Sequence, residues 1–388
     1  MRTRIICLLL IMSAGSFMCA KTDGNYTVEI VDGVRYITNY QPQWGDVPEI
    51  SLELDCKIGE LETEDDNFIL FRPNDMYIDR FDNIYVCDSR NFRIQKYNAD
   101  GEFILTIGRQ GQGPGEFPGR GPERIFIDKD TLIVFEQKIF RYTLDGDFMY
   151  HVEKPAGWRD FEYLGNDTYV MAFGWGERTN HSRVVSSPMA PPPPTNTDYK
   201  RVSGSYESDN ILALLNSDGK VAKEFGTHRK FDDDFVSYCS NTFHSTVDDH
   251  GNIYLSFKSY DRIDKYDGSG KHQMTIYRPT AVPEKFERYM LNMGRIELPD
   301  VRTNMFAQDI GVDSAGRIWV LNYTIIPEEN EMSNQYLEFN VFNDEGILLG
   351  SLPLDVPADA MRVFGSSVYI IDTHNEMCVY KYDIVELN

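Results

Sequence analysis

Apolar and polar residues alternate along this chain in short runs, and the runs come in groups of four. Between Asp79 and Phe117 the sequence reads DRFDNIYVCDSRNFRIQKYNADGEFILTIGRQGQGPGEF. Ile84 to Cys87, Phe92 to Tyr97 and Glu102 to Ile107 read as strands from their β-branched and aromatic content and their period of two. Asn74 to Ile78 upstream completes a four-stranded antiparallel meander. Asp100-Gly101, between the last two runs, predicts a two-residue hairpin turn, because glycine takes positive φ at no steric cost.

The group recurs. An anchor of the form D-x-x-x-[NR]-I-[YW] appears at Asp79, at Asp248 and at Asp313, with shortened copies at Asp128 to Ile133, Leu164 to Tyr169 and Phe364 to Tyr369. An apolar or aromatic residue stands four positions before a glycine at Tyr97/Gly101, Tyr142/Gly146, Leu215/Gly219, Tyr266/Gly270 and Phe342/Gly346. Five such pairs at one spacing, each after an anchor, mark internal repetition. The sixth repeat runs out of chain after Tyr382, and the missing strand has a candidate in Ile50 to Gly59, ISLELDCKIG. A ring closed by pairing an N-terminal strand with the C-terminal blade hides both sheet edges. The expected fold is therefore all-β, a six-bladed β-propeller of four-stranded antiparallel blades.

IYVCDSRNFRIQKYNADGEF followed by GQGPGEF resembles an NHL-type propeller repeat, and the whole chain resembles the exported six-bladed β-propeller proteins of the Bacteroidetes. The resemblance assigns GQGPGEF to a blade-linking turn. It implies fold far better than activity, since propellers host binding, scaffolding and several unrelated enzymes.

Arg2 and Arg4, the apolar run Ile5 to Met12 and the small residues after it read as a secretory signal over residues 1–20, too short to span a bilayer. Residues 21–388 then form one domain with insertions at about 176–210 and 278–304. Cys19 is a candidate lipidation site, although Met18 before it departs from the small residue that lipoprotein processing prefers; ordinary cleavage nearby is the alternative. The expected location is the periplasm, the outer membrane or the cell surface. Losing the two arginines takes the net charge from −23 to −25, which argues against nucleic acid and leaves a lipid anchor as the only route to a membrane. A monomer is expected. Cys56, Cys87, Cys239 and Cys378 show no C-x-x-C spacing and no disulfide framework.

The long connections are 108–121, 174–210, 227–241, 278–304 and 323–335, all between second and third strands or between blades. In a meander ring those joints share one face, and an elaborated face is where a scaffold presents a binding surface. Ser186 to Thr195, with four consecutive prolines, cannot join a sheet; Pro283 to Met293 predicts a short helix. Candidate ligand contacts on this face are Arg90, Arg109, Trp175, Arg178, Tyr199, Lys258, Tyr260, Tyr323 and His374, aromatic planes and donors suited to a carbohydrate, another small-molecule ligand or a protein partner.

Four positions before each anchor stand Asp75, Arg124, Asp160, His244, Asp309 and Ala360, which period-two alternation places at the mouth of the central channel. Two readings stay open: polar groups paired with each other, or a divalent-metal or acid/base site of the lactonase kind, which Arg124 would oppose. No G-x-S-x-G, P-loop or H-E-x-x-H motif is present. The function expected is non-enzymatic binding or scaffolding without a cofactor; the alternative is a metal-assisted hydrolase or lyase at the channel mouth.

Overall fold

The anchor motif is a hydrogen-bonding device. Asp313 Oδ1 accepts from the backbone N–H groups of Ala315 and Arg317, both at 2.9 Å, while Oδ2 accepts from Arg317 Nε at 2.7 Å and Trp319 Nε1 at 2.9 Å. Asp248 treats His250, Asn252 and Tyr254 in the same way, and Asp79 treats Phe81, Asn83 and Tyr85. The [NR] and [YW] positions of the motif, with the backbone N–H two residues after the aspartate, thus donate to one carboxylate, which fixes the turn joining a blade's first two strands. Asp313→Ala strands these donors and is expected to cost about 2–3 kcal/mol; a urea melt within about 0.5 kcal/mol of the parent would refute this role.

The turn between third and fourth strands differs from expectation. Asn98 N–H donates to Glu102 O and Gly101 N–H to Asn98 O, leaving a three-residue loop with Gly101 at φ 82°. Asn98 Oδ1 caps the N–H groups of Asp100 and Glu102, and this local side-chain bond selects the longer turn. Asp32-Gly33 lacks such a cap, and there both central residues take positive φ in a two-residue turn between Val31 and Val34.

The computed structural model describes residues 18–388 apart from 46, 154–157, 166, 174–209, 217–219, 228, 234–235, 238–239, 280–281, 293–296, 327–335 and 388. Three strands, β1 (Met18–Thr22), β2 (Tyr26–Val31) and β3 (Val34–Asn39), and then β4 (Ile50–Ile58) precede the repeats. Blade one is β5 (Pro73–Ile78), β6 (Ile84–Asp88), β7 (Arg93–Tyr97) and β8 (Phe103–Ile107). Blade two is β9 (Arg124–Asp128), β10 (Thr131–Phe135), β11 (Lys138–Thr143) and β12 (Phe148–Glu153). Blade three is β13 (Trp158–Gly165), β14 (Thr168–Phe173), β15 (Asn210–Leu215) and β16 (Val221–Thr227). Blade four is β17 (Phe243–Val247), β18 (Ile253–Phe257), β19 (Arg262–Tyr266) and β20 (His272–Tyr277). After the hairpin β21 (Phe286–Asn292) and β22 (Glu297–Thr303) comes blade five: β23 (Ala307–Val312), β24 (Ile318–Tyr323), β25 (Leu337–Phe342) and β26 (Leu348–Pro353). Blade six is β27 (Ala360–Phe364), β28 (Ser367–Asp372) and β29 (Cys378–Glu386), with β4 pairing antiparallel to β29 as its fourth strand.

First strands of successive blades touch one another and surround the axis. The second strands β6, β18 and β24 are buried at every residue, because both of their faces pack against a neighbouring blade. Apolar clusters fill the gaps between blades: Met76, Ile84 and Tyr97 meet Tyr369 and Val379 between blades one and six, and Phe126 and Phe135 meet Phe161 and Met171 between two and three. Phe117 of GQGPGEF is fully buried between blades one and two, so that segment is a blade-linking plug.

The N-terminal hairpin extends blade four, since β3 pairs parallel with β20. The chain then crosses the outer strand of blade five, where Gln43 and Trp44 donate to Leu348 and Leu349 and the indole lies against Gly350, at which any Cβ would meet it at 2.1 Å. The N-terminal segment so runs along the rim of blades four, five and six.

Residues 283–292 do not form the predicted helix; residue 293 lies outside the described residues. Glu284 pairs with Arg229, Phe286 packs on Phe231 at 4.5 Å, and Arg288 pairs with Asp233 at 2.7 Å. Three alternate residues reaching three alternate partners requires extended chain; a helix turns successive members of such a set to opposite sides.

Candidate functional site: the central channel

The upper layer of the channel alternates around the ring. β5, β13 and β23 carry register shifts beside Asp75, Asp160 and Asp309, whereas β9, β17 and β27, which carry Arg124, His244 and Ala360, have none. A bulge re-aims its side chain, and in β5 and β23 it turns the carboxylate onto the next blade. Asp75 Oδ2 accepts from Ile125 N–H at 3.0 Å, and Asp309 Oδ2 accepts from Met361 N–H at 2.8 Å. Blades one and five supply a carboxylate, and blades two and six a backbone donor. Asp160 holds the equivalent place in blade three; its side chain lies outside the described residues.

Two residues further along each inner strand stand Tyr77, Phe126, Glu162, Thr246, Gly311 and Arg362. Arg362 donates to Asp75 Oδ1 through Nε at 2.8 Å and approaches it through Nη2 at 2.7 Å. Arg124 Nη1 donates to Glu162 Oε1 at 3.2 Å and to Phe161 O at 3.1 Å, and Ser245 Oγ donates to Glu162 Oε1 at 3.3 Å. His244 Nδ1 is 3.7 Å from Asp309 Oδ1. Burial pushes the Asp309 carboxyl above the ordinary carboxylate range, with Arg362 and the two backbone N–H groups opposing it.

The described members of this donor set do not fit a divalent ion. Asp75 spends both oxygens on Arg362 and Ile125, Asp309 spends both on Ile310 and Met361 N–H groups, and the two arginines bring positive charge to the centre. Among the described residues no three His, Cys, Asp or Glu side chains gather in metal-binding geometry. Glu162 and Arg362 complete the network and are invisible to a count that stops four positions before each anchor.

The loop candidates fall into four groups. Arg90, Arg109 and His374 are exposed on connections of blades one and six; Arg109 pairs with Glu116 at 2.7 Å and His374 Nδ1 lies 3.0 Å from Asp359 Oδ2. Tyr260 and Tyr323 turn inward: Tyr260 is 1% exposed, stacks on Phe257 at 4.6 Å and donates to Asn241 Oδ1, and Tyr323 donates to Gln308 Oε1. Lys258 is half-buried, its backbone bonded to Thr242 and Phe306. Trp175, Arg178 and Tyr199 lie outside the described residues.

Residues 34–184 match the family model DUF5128, described as a 6-bladed beta-propeller. The class of protein is thus a six-bladed β-propeller. Within it the chain is similar to a DUF4221 family member from Bacteroides vulgatus, at 10% identity and a TM-score of 0.55 over 87% of this chain and 99% of that one. It is similar also to a Bacteroides fragilis protein named for its inferred export, at 12% identity and a TM-score of 0.53 over 91% of this chain and all of the other. No curated protein matches the sequence. No helix among the described residues is long and apolar enough to cross a membrane.

Proposed function

We propose that the chain is an exported, non-enzymatic binding propeller that holds a ligand or a partner protein on its insertion-bearing face. One observation carries the reading. Every long connection joins second to third strands or one blade to the next, and so leaves the same end of the ring, while capped short turns close the other end. Arg90, Arg109 and His374 offer donors there, and Trp175 and Arg178 lie where the longest insertion leaves β14. The signal-like start, with Cys19 as the candidate anchor point, supports export. The metal-assisted hydrolase is the weaker reading, because the channel carboxylates already serve the blades.

A glycan and protein-partner screen with the intact protein tests this. For a ligand so found, Trp175→Ala is expected to cost about 2 kcal/mol or more of binding energy, as at a hot spot, and deletion of residues 180–200 to weaken binding further. If both variants bind unchanged, the face assignment fails and the channel becomes the candidate. Retention of a stoichiometric divalent ion by chelator-free protein would revive the hydrolase.

A further inference from the structure

The short-turn end of the channel holds a cavity of about 400 Å³, within the roughly 300–1,000 Å³ of small-molecule sites. It is eccentric. Tyr77, Phe126, Tyr163 and Phe364, from blades one, two, three and six, fill one side with packed rings; Tyr77 lies 4.8 Å from Phe364 and 6.0 Å from Phe126. Across the axis, blades four and five present Thr246, Val247 and Val312, and the space lies open between these sides. Exposed turn residues such as Asp249 and His250 form its rim, so the cavity reaches solvent.

Its charged groups are mostly acidic. Glu162, Asp248, Asp249, Asp313 and Asp344 line it, against Lys265 and Arg362, and the Arg362 guanidinium is already held by Asp75. Tyr77 is half-buried on the cavity wall, and among the described residues its hydroxyl has no hydrogen-bond partner. Burial pushes its pKa up to about 12; the Glu162 carboxylate adds to the rise, Arg362 opposes it, and Asp249 adds again from the opposite blade. A hydroxyl on a cavity wall, without a protein acceptor, is open to an occupant.

We propose that this cavity binds a small organic cation, an amine carried on a flat apolar body, with its ring against Tyr77 and Phe126 and its ammonium toward Glu162 and Asp249. The rings supply contact area and cation–π attraction. The carboxylates supply charge complementarity in a site partly shielded from water. This site lies at the opposite end from the insertion-bearing face and does not depend on it.

Calorimetric titration of the intact protein with tyramine, 4-ethylphenol and 3-(4-hydroxyphenyl)propanoate tests the proposal. Tyramine is expected to bind with one site per chain, about tenfold or more tighter than the other two, the margin of a charge-assisted contact. Asp249→Asn, on an exposed turn, and Tyr77→Phe, which keeps the ring packing, should each weaken tyramine several-fold with thermal melts unchanged, and deletion of residues 180–200 should leave its binding intact. The proposal is overturned if tyramine does not bind at millimolar concentration. It is equally overturned if the neutral or anionic analogue binds as well, or if neither substitution changes the affinity.

Discussion

A chain that starts at Leu61 is expected to lose its cooperative thermal transition, while one that starts at Ile50 keeps it at a lower Tm. The difference between them is β4. Its eight residue pairs with β29 run from Ile58↔Val379 to Ile50↔Glu386 and supply the fourth strand of blade six. Ile58 is buried among Leu70, Met76, Ile84 and Val379, and Ile50 among Leu352, Met361 and Tyr380, so the strand stitches blade six to both neighbours. Each isoleucine is worth about 1.5–3 kcal/mol of burial. Adding the lost ladder brings the total to the scale of a domain's whole stability, about 5–15 kcal/mol. The truncated ring would also leave β29 as an open edge, which invites aggregation. Deleting only the hairpin removes Tyr26, Val28 and Ile37 and uncovers Met274, Ile276 and Leu348, but leaves every blade with four strands. Calorimetry on both truncations decides the matter, and a sharp melt from the Leu61 chain would refute closure as the stabilising device.

The blades were legible because the anchors do chemistry on themselves. Asp79, Asp248 and Asp313 bond to residues two, four and six positions ahead, so their requirements are written locally. Contacts settled by tertiary packing leave no such mark. Glu284, Lys285, Met290 and Leu291 are good helix formers, yet the strand at 286–292 answers to Arg229, Phe231 and Asp233, about fifty-five positions away. Tyr260 and Tyr323 read as loop aromatics available to a ligand, but the ends of the gaps between blades need large side chains, and these two supply them.

The channel was half legible for a related reason. Its first layer repeats, with Asp75, Asp160 and Asp309 at one distance from an anchor, and that spacing points to the axis. The second layer does not repeat. Glu162 and Arg362 share a ring position with Tyr77, Phe126, Thr246 and Gly311, so neither follows from a pattern. The meaning of the first layer also turned on the second: Asp75 is an inter-blade clasp because Arg362 holds it.

That clasp carries the other large effect. Arg362→Met keeps much of the side chain's volume but removes two contacts to Asp75, at 2.8 and 2.7 Å, and leaves a carboxylate of 2% exposure with Ile125 N–H and a distant Arg124, whose Nε is 4.0 Å away. Removing one partner of a buried pair typically costs about 3–5 kcal/mol, because the remaining charge has lost its water without compensation. Arg362→Lys keeps the charge but not the two-pronged geometry and should fall between parent and Met variant. Asp75→Asn with Arg362→Met removes both charges, and the pair is expected to cost less than the sum of the single substitutions by about 1–3 kcal/mol, the coupling of residues in one network. Urea denaturation of the four proteins measures this cycle. A single Arg362→Met cost below about 1 kcal/mol, or a double substitution equal to the sum, would show that the channel charges are solvated singly and do not clasp the ring between blades six, one and two.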